Sequence, residues 1–186
     1  TPESKKAIRI IVLAGLAMLI VGVVMGYNDA HFVTRILTNG LINGFFFFAL
    51  GLGALFFLAL NYATESGWYA SVKRVIEAVA GFLPYGMALL GLALLIITIL
   101  DGAHIYIWMD SEVVKHDEII QGKSAYLNVW FFWIRTLIYF TTYFLFLRGF
   151  KKRSIEEDLR GGTDLHFKNY KRGAMFLVFF AVFSST

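Results

Sequence analysis

The sequence predicts an all-α, polytopic transmembrane helical bundle, with four full crossings and the start of a fifth. Three observations predict it. Of 186 residues, 58% are hydrophobic and only 16% charged, and 19 are Phe. A soluble domain of this length cannot hide that much apolar surface, whereas a membrane protein need not. The apolar residues gather into runs of about 20, the length of helix that spans a hydrocarbon core of about 30 Å. The basic residues sit mainly between those runs, which argues against a nucleic-acid binder despite the net charge of +4.

Residues 1–6 form a short polar lead, and Ala7 to Tyr27 is the first crossing. Gly15, Gly22 and Gly26 lie near one stripe of it, and the Gly22–Gly26 pair suits close helix approach. Asn28 to Gly40 reads as a loop, and Leu41 to Tyr62 as the second crossing. Ala63 to Ala80 carries Trp68, Val72, Val75, Ile76 and Val79 at helical spacing, with Lys73, Arg74 and Glu77 on other faces. This predicts an amphipathic helix at the membrane interface over 64–80, capped by Thr64 or Ser66. Glu65, Lys73 and Arg74 are its candidate interfacial residues.

Phe82 to Leu100 is the third crossing, with Pro84 in its first turn, where proline is tolerated. It either ends there or continues to Trp108. Met109 to Tyr126 is a polar loop, and Leu127 to Leu147 is the fourth crossing, holding one charge, Arg135. Residues 148–173 form a basic polar stretch with a turn at Gly161-Gly162, and 174–186 open a fifth helix. The absence of an initial Met and the short last run lead us to expect the front part of a longer chain. No cleavable signal peptide is expected, because the first apolar run is too long and lacks a small-residue cleavage site.

Of the 17 Lys and Arg, only Arg35, Lys115 and Lys123 fall on the side opposite the N-terminal lead, with Arg135 inside a span. The positive-inside rule therefore predicts a cytoplasmic N-terminus.

Arg135 is the chemical anomaly. A charge within a span is expensive and usually faces protein or a watery cavity. It lies about 12 Å below the outer end of its crossing. If the third helix continues to Trp108, Asp101 lies about 10 Å from the same end, with His104 one turn further along the same face. Tyr139 and Tyr143 follow Arg135 on a similar stripe. Asp101, His104, Arg135, Tyr139 and Tyr143 are thus the candidate polar cluster. Its readings are a proton path, a contact to a quinone or lipid headgroup, or a structural clamp with Asp101-Gly102 as an interfacial turn.

With no Cys, thiolate metal sites and cysteine-ligated clusters are excluded from the chain. His31, His104, His116 and His166 lie in loops or near helix ends, so paired haem ligation is not expected. His116-Asp117-Glu118 is a weak metal candidate, and no catalytic triad or phosphate loop is visible. The Lys151-Lys152-Arg153 run reads as a topology signal and a contact for anionic lipid, or as a dock for a partner's acidic face.

Two stretches carry a family resemblance. They are GALFFLALNYATESGWYASVKRVIEAV (Gly53 to Val79) and HDEIIQGKSAYLNVWFFWIRTLIYF (His116 to Phe140). The most specific part is Lys123 to Val129 with Phe131, Phe132, Ile134 and Arg135. These segments resemble the F-type membrane subunits of alternative complex III, the bacterial quinol:electron-acceptor oxidoreductase, which are related to the NrfD or polysulfide-reductase membrane-anchor family. The resemblance implies a ten-helix subunit without a redox centre of its own, serving as scaffold and proton path. It also implies partners: a second NrfD-like subunit, where quinol would bind, an iron–sulfur/molybdopterin-like subunit, haem c subunits, and a terminal oxidase as a further associate. The competing readings are a secondary transporter or a purely structural membrane anchor.

Overall fold

The computed structural model describes residues 2–28, 31–100, 105–161 and 163–185. They form eight α-helices and no strand: α1 (Pro2–Gly26), α2 (Phe32–Ala63), α3 (Lys73–Ala80), α4 (Leu83–Ile99), α5 (Ser111–His116), α6 (Glu118–Gly122), α7 (Val129–Arg160) and α8 (Asp164–Ser184). Among the described residues, α1, α2, the rod made by α3 with α4, and α7 are each long and apolar enough to cross a membrane. The all-α bundle is thus present, with its fifth long helix begun in α8.

Several helices outrun the apolar runs that announce them. α2 starts at Phe32, inside the stretch expected to be a loop, and α7 continues through the basic run to Arg160. α8 starts at Asp164, well before Ala174. Hydropathy marks what lipid can cover, whereas a helix continues until something stops it. Here the stop lies at the expected glycine pair: Gly161 closes α7 with φ +66°, backbone that favours glycine. In the other direction, α4 ends at Ile99 and Tyr106 is extended, so the described chain takes the shorter of the two readings of the third crossing.

The core is the antiparallel pair α2 and α4. Their contacts run in strict register: Leu37 clusters with Ile97, and Gly44 faces Leu90. Further along, Gly51 faces Leu83 and Gly86 faces Phe48. A Cβ on Gly51 or Gly86 would stand 2.7 Å from the opposing Cα, so only glycine allows this approach. α8 packs antiparallel on the other side of α2, where a Cβ on Gly173 would stand 2.7 Å from the Ala59 carbonyl oxygen. The stripe expected on the first crossing plays no such part: no described atom comes within 4 Å of a Cβ on Gly15 or Gly22, and Gly26 meets only the Phe32 ring.

α7 is fixed at its C-terminal half. Tyr143, Leu147, Phe150 and Ser154 are buried there, and Phe150 stacks on Tyr62 at 5.5 Å with 14° between the rings. Phe176 of α8 completes this aromatic plug beside Phe146 and Phe150. Gly86→Leu is expected to force α2 and α4 apart and cost about 1–3 kcal/mol or more, whereas Gly15→Leu should be near neutral. Thermal midpoints of the purified chain in detergent check this contrast.

Candidate functional site

The segment between α2 and α4 differs from the single amphipathic helix expected over 64–80. Thr64 closes α2 rather than opening a helix: its N–H and its hydroxyl both donate to the Leu60 carbonyl, at 2.9 Å each. Its Oγ1 also lies 2.7 Å from the Ser66 hydroxyl, and Ser66 caps nothing with its side chain. Glu65 takes a left-handed φ of 51°. A 3-10 turn follows at Gly67–Ser71, and only then α3, whose N-cap position is Val72.

The polarity of α3 is inverted relative to a soluble helix. Trp68 and Val75 are each 65% exposed, while Glu77 is only 6% exposed. In lipid this is the favourable arrangement, since apolar side chains can face acyl chains and polar ones must find protein partners. Glu77 finds Arg74, whose Nη1 donates to its Oε2 at 2.5 Å and to the buried Ser154 hydroxyl at 3.2 Å. Arg74 also pairs with Asp158. Lys73 donates to Glu157 at 3.0 Å and lies 5.5 Å from the Tyr62 ring centroid. Lys73 and Arg74, expected as interface residues, are thus cross-helix ties from α3 to α7. Burial holds the Tyr69 phenol protonated well above its ordinary range, so it serves this cluster as a neutral group. Glu65 stands apart, 3.8 Å from His166 Nε2.

At the opposite end, the motif Lys123 to Val129 folds as one unit. Tyr126 and Leu127 turn back on the Lys123 carbonyl, at 2.9 and 2.8 Å. Asn128 then caps α7, accepting from the Phe131 N–H at 2.8 Å. This turn lays the Tyr126 ring over Arg135, with 4.0 Å from Cζ to the ring centroid, and Phe131 lies 5.6 Å away. The guanidinium is therefore held on aromatic faces, a recognised arrangement for a cation away from water. Its buried Nη1 has no hydrogen-bond partner among the described residues.

Asp101 and His104 lie outside the described residues. Tyr139 and Tyr143 do not join Arg135 in one contact. Tyr139 stacks on Phe183 at 4.3 Å, and Tyr143 packs among Phe48, Phe176 and Phe183. Both line an aromatic cavity of about 450 Å³ beside the N-terminal half of α7, together with Tyr106, Phe132 and Phe140. Burial raises the Tyr106 phenol above its usual range.

The acidic loop residues have local work. His116 Nδ1 lies 2.8 Å from the Glu112 carbonyl oxygen, and Asp117 caps α6 through the Ile119 and Ile120 N–H groups. Among the described residues, no group of three or more His, Asp or Glu is placed to hold a metal. No protein-family model matches the chain, and no curated protein matches it.

Sequence reading missed Glu77 and Ser154 as partners. The signal was present in part: Glu77 follows Lys73 and Arg74 at helical spacing, and α7 ends in the acidic triplet Glu156-Glu157-Asp158. The register that joins them is set by tertiary packing. A double-mutant cycle on Lys73→Met and Glu157→Met should give a coupling of about 1 kcal/mol, because the pair is mostly buried. Denaturation midpoints of the four proteins measure it; strictly additive effects would show the contact to be idle.

Proposed function

We propose that the chain is an integral membrane subunit of a bacterial respiratory quinol:electron-acceptor oxidoreductase of the alternative complex III type. In this reading it carries no redox centre, scaffolds its partner subunits, and contributes to a proton path. The observation that carries the reading is the Lys123 to Arg135 motif. The residues that bear the family resemblance, Tyr126, Asn128, Phe131 and Arg135, are the ones that cap α7 and seat the intramembrane guanidinium. A motif kept for solubility or topology would have no reason to meet at one point.

The partners are a second NrfD-like subunit that binds quinol, an iron–sulfur/molybdopterin-like subunit, haem c subunits and a terminal oxidase. Arg135 is the proton-handling candidate in this reading, and the cavity lined by Tyr139 and Tyr143 lies further along the same helix. The inner end, tied by Lys73, Arg74, Glu77, Glu157 and Asp158, serves as the rigid platform. The chain sits in the bacterial inner membrane with its N-terminus in the cytoplasm.

Purification through a tag on this chain should bring down haem c and iron–sulfur absorbance in fixed ratio; recovery of the chain alone would favour a transporter. In the co-isolated complex, Arg135→Leu should lower coupled proton movement at least several-fold while leaving subunit content intact. Loss of assembly instead would reduce Arg135 to a structural clamp. Orientation is open to direct labelling, because the chain contains no Cys. A single Cys at Lys123 should react with an impermeant maleimide from outside, and one at Lys168 only after the cells are opened.

A further inference from the structure

Two arginines at the inner end of the bundle have been left without a counter-charge. Arg153 of α7 and Arg172 of α8 line the mouth of one groove of about 350 Å³ between these helices. The acids nearby in sequence are already engaged: Glu156 with Arg160, Glu157 with Lys73, and Asp158 with Arg74. Among the described residues, neither Arg153 nor Arg172 has an ion pair. Arg153 donates its Nε–H to the side-chain amide oxygen (Oδ1) of the buried Asn169 at 2.6 Å. Its Nη1 and Nη2 lie across Gly149, 3.2 Å from where a Cβ would stand. Glycine there leaves room for the guanidinium at the groove's floor.

We propose that this groove is a binding site for an anionic phospholipid, its phosphodiester held by Arg153 and Arg172. Three features fix the occupant. First, a guanidinium presents paired donors that match two phosphate oxygens, and two such groups side by side need an anion between them. Second, the level is right. Arg153 lies about 36 Å along α7 from Val129, just past a hydrocarbon core of about 30 Å and so among the headgroups. Third, the groove continues from the charged mouth along Leu145, Phe146, Met175 and Phe179. An apolar track leading away from the charges suits an acyl chain, whereas a free phosphate would leave it empty and an acidic peptide would have no use for it. The exposed Lys151 and Lys152 on the same turn of α7 add to the attraction of this end for an anionic leaflet.

This site rests on the membrane-spanning character of the helices and not on the oxidoreductase reading, so its test needs no partner subunit. The tagged chain, with whatever co-purifies, is stripped of lipid in detergent. It is then offered phosphatidylglycerol, phosphatidylcholine or inorganic phosphate, and bound lipid is counted by native mass spectrometry. Phosphatidylglycerol should be retained and should raise the thermal midpoint, and the other two should do neither. Arg172→Gln, at an exposed position, should weaken retention by about tenfold without lowering the lipid-free midpoint, and Arg172→Lys should restore part of it. Gly149→Leu keeps both charges but crowds the Arg153 guanidinium, and it should weaken retention as well. Equal retention of phosphatidylcholine, equal stabilisation by inorganic phosphate, or unchanged binding in both the Arg172→Gln and Gly149→Leu variants would overturn the proposal.

Discussion

The Glu77 side chain is nearly sealed from solvent; Arg74 meets its Oε2, while its Oε1 has no hydrogen-bond partner among the described residues. Removing a carboxylate from water costs several kcal/mol unless a cation and further hydrogen bonds replace the lost hydration. Arg74 supplies the cation, and Ser154 and Asp158 hold Arg74 in place from α7. The constraint acts on geometry more than on net stability. A buried pair is costly to break, so α3 and α7 must keep one relative register. The Tyr62, Phe150 and Phe176 plug lies at the same level and is fully buried. Charge pairing and ring packing therefore fix the same point of the bundle, and helices α2, α3, α7 and α8 converge on it.

The half of the bundle at the start of α7 follows a different rule. α7 touches α4 lightly there, and the aromatic cavity opens between α7 and the α2, α4 and α8 group. Among the described residues, Arg135 is met there by the Tyr126 and Phe131 rings and not by a carboxylate. Cation–π contact suits a site where a permanent charge must stay within apolar surroundings, because the ring face attracts the cation without adding a second ion to desolvate. The end at α3 is thus held by directional ionic ties, and the opposite end by softer aromatic contacts.

This division explains what could be read from the sequence. The crossings were legible because each must be long and apolar on its own account. The break at Gly161 was legible because two adjacent glycines stop a helix locally. Helix ends elsewhere were not: nothing in Asn28 to Gly40 forbids a helix, so α2 extends to Phe32 past the point where hydropathy falls. The two faces of residues 64–80 were visible in the period, but a period does not say which face turns inward. The membrane decides that, and it sends Glu77 in and Trp68 out. Arg135 was conspicuous as an isolated charge, yet its partner Tyr126 lies nine residues earlier and comes within reach only because the chain turns at Lys123 before Asn128 starts α7.

The small residues carry the last step of the argument. Between helices in lipid, the hydrophobic effect offers little, and close packing has to do the joining. In α2, α4 and α8 the glycines are used for this purpose, at Gly44, Gly51, Gly86 and Gly173. In α1 they are not: Gly15 and Gly22 meet no described atom, and none of its most apolar stretch is buried within the chain. α1 reaches the rest chiefly through its inward turn at Gly26 and Phe32. Among the described residues, the small-residue stripe of α1 is thus left uncovered, while the glycines of α2, α4 and α8 are closed against neighbouring helices.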